Sequence, residues 1–229
     1  MNRKPTNTVH LEGLVEKCLM DTRKEDGQPV ARLTVVVSSL KDDGGFEHER
    51  HEVQVLLNAE TSKMMEDLSV TAGRAYEERR LTPDKRSVNV PYCRLDGNLR
   101  SLGNSTFVEC VGSGVELCMT ASKDRKVNNR TELSGEVKST SYSNKSVRAT
   151  VDTGVALVWV FGMRDHIPEF WDGVSTGDIA RGKGLSVSGR LVSNTYEGAN
   201  HDRIYESVVS PARTKSFALD LKKTAARGL

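Results

Sequence analysis

The sequence is short of aromatic residues, of cysteine, of net charge and of long apolar runs, and each shortage excludes something. Four cysteines (Cys18, Cys93, Cys110, Cys118) stand far apart with no C-x-x-C among them, which argues against a zinc ribbon and against a disulfide framework. They read as reduced, buried thiols. No apolar run approaches the length of a membrane span, and the start MNRKPTNTVH lacks the apolar core of a signal peptide; the expectation is a cytoplasmic protein with no membrane partner. The formal net charge is only +2, with 20 basic against 20 acidic residues in 1–130 and 13 against 11 in 131–229. Affinity for a polyanion would therefore have to come from local patches and stacking rather than from bulk charge. Aromatic residues make up 5% of the chain, few enough that each one outside the core needs a reason.

What is present is a pattern that occurs twice. VHLEGLV (9–15) and TELSGEV (131–137) each open on Leu-x-Gly-x-Val or Leu-x-Gly-Leu-Val and lead through a polar turn into an apolar strand. A third strand follows in both: HEVQVLL (51–57) runs into ETSKMMEDL, and VALVWVFG (155–162) into DHIPEFWDGV. The fourth strands, YCRLDGNLRS (92–101) and GLSVSGRLVS (184–193), also match, as do the fifth, TFVECVGSGVEL (106–117) and IYESVVSPARTK (204–215). Leu185, Val187, Gly189 and Leu191 alternate with polar neighbours, the period of a half-buried strand, and a glycine inside such a strand marks a bulge, a bend or a close backbone approach.

Five strands with a short helix between the third and fourth is the layout of an OB-fold barrel. The chain is accordingly expected to be all-β, with two tandem five-stranded OB-fold barrels. The first would occupy 1–119, with an inserted loop at about 69–91 that the second half lacks; 120–130 would be the linker, 131–220 the second barrel and 221–229 a basic tail.

At the level of motifs, VFGMRDHIPEFW followed by GKGLSVSGRLVSNTYEGANHDRIYESVV is similar to the bacterial single-stranded DNA-binding protein family. There a strand ending in Phe-Gly precedes a short helix, then Lys-Gly, a Val-x-Gly-x-Leu strand and an aromatic hairpin. NTVHLEGLVEKCLMDTRKEDGQPVARLTVVVSS resembles the family's opening Asn-x-Val-x-Leu-x-Gly with its Gly-x-Pro-Val-Ala. The resemblance implies that Phe161 and Tyr196 stack on bases. Trp159, two residues before Phe161, shares its strand face. Arg164, Lys183, Arg190 and Arg203 are the candidate phosphate contacts, the alternative for Arg190 and Arg203 being solvated surface charge, with Gly189 bending the fourth strand and Tyr196 held out in the hairpin.

The resemblance further implies a homodimer carrying four OB-folds, with replication or recombination proteins among its partners. The end DLKKTAARGL is basic where family members carry an acidic tail, a departure that suits a phage or mobile-element version. Only Phe46, Tyr76, Tyr92 and Phe107 are aromatic in the first half, against eight in the second, so stacking would be concentrated there.

Other motifs lead nowhere. KEDG (24–27) matches the Lys-x-Asp-Gly of nucleotidyl transferases, but Pro29 stands where those carry Arg, and an Asp-Gly turn accounts for it. His48 and His51 fall on opposite strand faces without a third ligand, and GSG at 112–114 opens no helix. Neither an enzyme, a metal nor a cofactor is expected. Phe170 and Trp171, in the short helix, are assigned to the core, while Trp159 fits core or platform. Two functions stay open: a binder of single-stranded DNA, with RNA equally compatible with stacking, and an adaptor whose aromatics anchor another protein.

Overall fold

The computed structural model describes residues 5–23, 26–40, 46–81, 90–102, 105–118, 129–197 and 203–217, with backbone alone at 39–40, 46, 79–81, 102, 105, 118, 194–197, 203–206 and 217. These residues are mostly β-strand, with two α-helices among them. They cluster into two compact units. The described parts of Val9–Arg130 and Val192–Ser207 form the N-terminal unit; those of Met1–Thr8, Thr131–Leu191 and Val208–Leu229 form the C-terminal one.

The N-terminal unit is built from β1 (Asn7–Thr22), β2 (Pro29–Leu40), β3 (Phe46–Leu56), α1 (Ala59–Leu81), β4 (Tyr92–Leu102), β5 (Ser105–Val111) and β6 (Val115–Cys118). β1 pairs antiparallel with β2, and β2 with β3. β3 lies parallel to β5, β5 pairs with β4, and β4 returns to β1. These five strands close a barrel, the arrangement of an OB-fold. Along β1 every second side chain is buried at first, as a strand with one face on a core requires, and Leu11, Leu33, Val35, Val55, Leu95 and Leu99 fill the interior.

Two features differ from the sequence reading. The helix after β3 runs for 23 residues, so that 69–81, expected in a loop, is helical; 82–89 of that insertion lie outside the described residues. Asn58 starts the helix: its Oδ1 accepts the backbone N–H groups of Glu60 at 3.0 Å and Thr61 at 2.9 Å, satisfying two amides of the first turn. Met65, Leu68, Ala72 and Ala75, spaced on one helical face, are buried. The fifth strand is also interrupted. A single 3-10 turn at Gly112–Gly114 breaks it, and β6 beyond the turn pairs with β4. The Asp-Gly turn is present, with Gly27 in the left-handed region at φ 71°; Lys24 and Glu25 lie outside the described residues.

The C-terminal unit takes most of its residues from β7 (Asn129–Tyr142), β8 (Ser146–Asp152), β9 (Leu157–Met163), α2 (Pro168–Ser175), β10 (Gly184–Glu197) and β11 (Arg203–Phe217). β7 pairs with β8 and β8 with β9, β9 runs parallel to β11, β10 lies beside β11, and β10 pairs back with β7 from Gly184 to Gly189. The order of ladders repeats that of the other unit.

Detail repeats too. A register shift follows Val15 in β1 and Val137 in β7, and those same valines donate their backbone N–H to Pro91 and Lys183, each at 2.8 Å. Gly97 and Gly189 occupy matching places in β4 and β10. A Cβ on Gly97 would come within 2.6 Å of the Glu109 carbonyl oxygen, and one on Gly189 within 2.1 Å of that of Ser210. Gly189 is thus required by the close approach of the next strand, which is the physical reason for it.

Candidate nucleic-acid interface

Strand β9, LVWVFGM, alternates cleanly. Val158, Val160 and Gly162 face the core, and Leu157, Trp159, Phe161 and Met163 face outward. Trp159 is half-buried; Leu157, Phe161 and Met163 are 51%, 41% and 39% exposed. Such a row of large apolar side chains on an outward strand face costs solubility, and its presence asks for a ligand. The sequence placed Trp159 and Phe161 on one face, and the structure brings them together there.

The register of β8 adds a residue that sequence did not single out. Arg148 lies directly across from Phe161, and Thr150 across from Trp159. Arg148 reaches diagonally, so that its guanidinium carbon sits 3.5 Å from the centre of the Trp159 ring. Diagonal neighbours on one sheet face are within reach of long side chains, but the pairing cannot be known until the register is. A cation and two aromatic rings thus share one patch.

Arg164 makes a second such pair at the end of β9. Its guanidinium carbon lies 4.2 Å from the Trp171 ring centre, and Tyr142 meets the same indole edge-on at 5.6 Å. The Trp171 indole N–H donates to the Ser143 carbonyl at 2.7 Å. Trp171 is half-buried rather than wholly in the core, whereas Phe170 is fully buried beneath α2. α2 begins on Pro168, whose fixed φ suits the first helical position, and Phe170 and Val174 form its inward face.

The other expected contacts fall as follows. Lys183 is exposed and donates its ammonium to the Gly177 carbonyl at 2.9 Å. Arg190 is half-buried on the polar face of β10. Tyr196 belongs by its backbone to strand β10 rather than to a loop, in the part that clusters with the N-terminal unit; Arg203 opens β11 in the same unit. The side chains of Tyr196 and Arg203 lie outside the described residues.

Five described arginines of the N-terminal unit meet carboxylates. Arg23 pairs with Asp26 and Glu109, Arg32 with Asp21, Arg50 with Glu16, Arg94 with Glu116, and Arg100 with Glu109. The hydrogen bond and charge of Glu16 raise the Arg50 pKa, and Arg23 holds the Asp26 carboxyl down at about 2. Carboxylates neutralise these cations. The outward face of β3 carries His48, Arg50 and Glu52, three polar residues in a row where β9 presents two aromatic rings. Of the two strands compared, β9 is the one that presents aromatic rings outward, beside cations that stack on them.

No family model matches the chain, and neither does any curated relative. Among solved structures, the crystal structure of wild-type single-stranded DNA binding protein from Thermus aquaticus is similar, with a TM-score of 0.58 and 16% identity over 95% of each chain. A deletion mutant of that protein matches at a TM-score of 0.55 and 17% identity, covering 95% of this chain and 97% of the other. At such identities the likeness is one of fold.

Proposed function

We propose that the chain is a single-stranded DNA-binding protein that acts in replication, recombination or repair, and that its fold is a tandem pair of OB barrels. The observation that carries the reading is the outward face of β9 and β8, where Trp159 and Phe161 stand beside Arg148 with Leu157 and Met163 at the flanks. Bases stack on aromatic faces whatever their sequence, each contributing roughly 1–3 kcal/mol. The likeness in fold to the Thermus aquaticus protein supports this reading. Phe161 and Tyr196 serve as stacking residues, with Trp159 beside Phe161, and Arg164, Lys183, Arg190 and Arg203 contact phosphates. Two barrels per chain reach four in a homodimer.

Titration of the whole chain with oligo-dT, followed by tryptophan fluorescence, tests the function. Saturable quenching whose affinity falls with salt is the expected result, since each phosphate contact on a single strand adds about 0.7 to the negative slope of log affinity against log salt. An unchanged signal at low salt would discard it in favour of an adaptor that anchors a protein on Leu157, Phe161 and Met163.

A further inference from the structure

The cation at the centre of the β9 patch has a geometry that decides what a base would meet there. At 3.5 Å from the ring centre, the Arg148 guanidinium carbon stands at van der Waals stacking distance from Trp159; a guanidinium pointing edge-on at a ring keeps its carbon farther away. The indole face on that side is therefore covered. Arg148 is nonetheless exposed, and among the described residues no carboxylate pairs with it, in contrast to Arg23, Arg32, Arg50, Arg94 and Arg100 of the N-terminal unit. Trp159 fixes the guanidinium in place while leaving its outer plane and its N–H edges available.

Resting on the nucleic-acid reading above, we infer that Arg148, and not the indole beneath it, is the surface that receives a nucleotide at this position. Its outer plane stacks on the base, and its edge donates to the adjoining phosphate, so that Trp159, guanidinium and base form three layers. A guanidinium plane is a stacking surface for bases in its own right, and its charge is unaffected near neutral pH. Phe161, directly across from Arg148, supplies the neighbouring aromatic platform. The role of Trp159 is then to position Arg148.

The test uses the full chain, Arg148→Ala, Arg148→Lys and Trp159→Phe, with oligo-dT of about 16 nucleotides, the upper site size of a single barrel, over a series of salt concentrations. Arg148→Ala is expected to lose roughly tenfold or more in affinity, the cost of one stack, and to flatten the salt slope by about 0.7. Arg148→Lys should keep the slope and lose affinity, because an ammonium offers charge without a plane. Trp159→Phe, which leaves a ring under the guanidinium, should cost less than Arg148→Ala. Because Arg148 is exposed, the melting temperatures of its variants should match that of the unmutated chain.

Arg148→Ala binding as tightly as the unmutated chain, or more tightly, with the same salt slope, would overturn the assignment and return the indole to the role of platform. If the unmutated chain binds no oligo-dT, the proposed function itself fails, a result separate from any difference among the variants.

Discussion

Phe161 and Phe170 lie nine positions apart and should respond in opposite ways to the same change. Phe170 is fully buried and Phe161 is 41% exposed. Phe170→Ala is expected to cost roughly 3–5 kcal/mol of stability, as for a core phenylalanine, and Phe161→Ala about 1 kcal/mol while weakening oligo-dT binding by roughly 1–3 kcal/mol. Urea melts and the titration, run on both variants, check the pair. The thiols give a prediction in pH. Burial first, and then the charges of Asp96 and Glu109, push Cys110 up to about 12 from an ordinary 9.0, and burial pushes Cys18 to about 11. The unfolded chain therefore loses these protons first, so their contribution is intact below about pH 9 and is lost as pH rises toward 11 and 12. Urea midpoints of the unmutated chain should fall more steeply above pH 9 than those of Cys110→Val. At this scale the family resemblance singled out Phe161, and period-2 alternation, which depends on one strand alone, set Trp159 on the same face. Arg148 was not legible, because its neighbours are set by the pairing of β8 with β9.

At the scale of elements, glycines divide by what surrounds them. Gly189→Ala sets a Cβ 2.1 Å from a backbone carbonyl oxygen in β11, where nothing flexible can give way, and should lower stability by at least about 1–3 kcal/mol. Gly73, inside α1, has open space where a Cβ would stand, with nothing within 4 Å, and Gly73→Ala should raise stability by roughly 0.5–1 kcal/mol through helix propensity and the unfolded chain's lost freedom. Denaturant midpoints of the two variants should move in opposite directions. The strands and both helices were legible in position; the extent of α1 was not. The stretch after Leu68 has no counterpart in the second half of the chain, which suggested a loop, yet Ala72 and Ala75 continue the buried stripe and AGRAYEERR is rich in helix formers. The break at Gly112–Gly114 was hidden for a different reason, since the residues on both sides of it are strand formers.

At the scale of the molecule, the doubled pattern read from the sequence has local counterparts in the close backbone approach at Gly97 and Gly189 and in the backbone hydrogen bonds of Val15 and Val137. The assignment of Val192–Ser207 to the N-terminal unit was not legible, because it depends on contacts distant in sequence. The proposed homodimer should scatter light at twice the chain mass at micromolar concentration; a single-chain mass would remove the assembly and leave the fold as it is.

Both tryptophans of the chain, Trp159 and Trp171, belong to the C-terminal unit, and each lies under a guanidinium. Indole emission consequently reports on the C-terminal unit, whereas far-ultraviolet dichroism sees the strands of both. A heat denaturation followed by the two signals becomes a measure of cooperativity: superimposed curves mean that the chain melts as one, and separated curves give each unit its own transition without any residue having been changed.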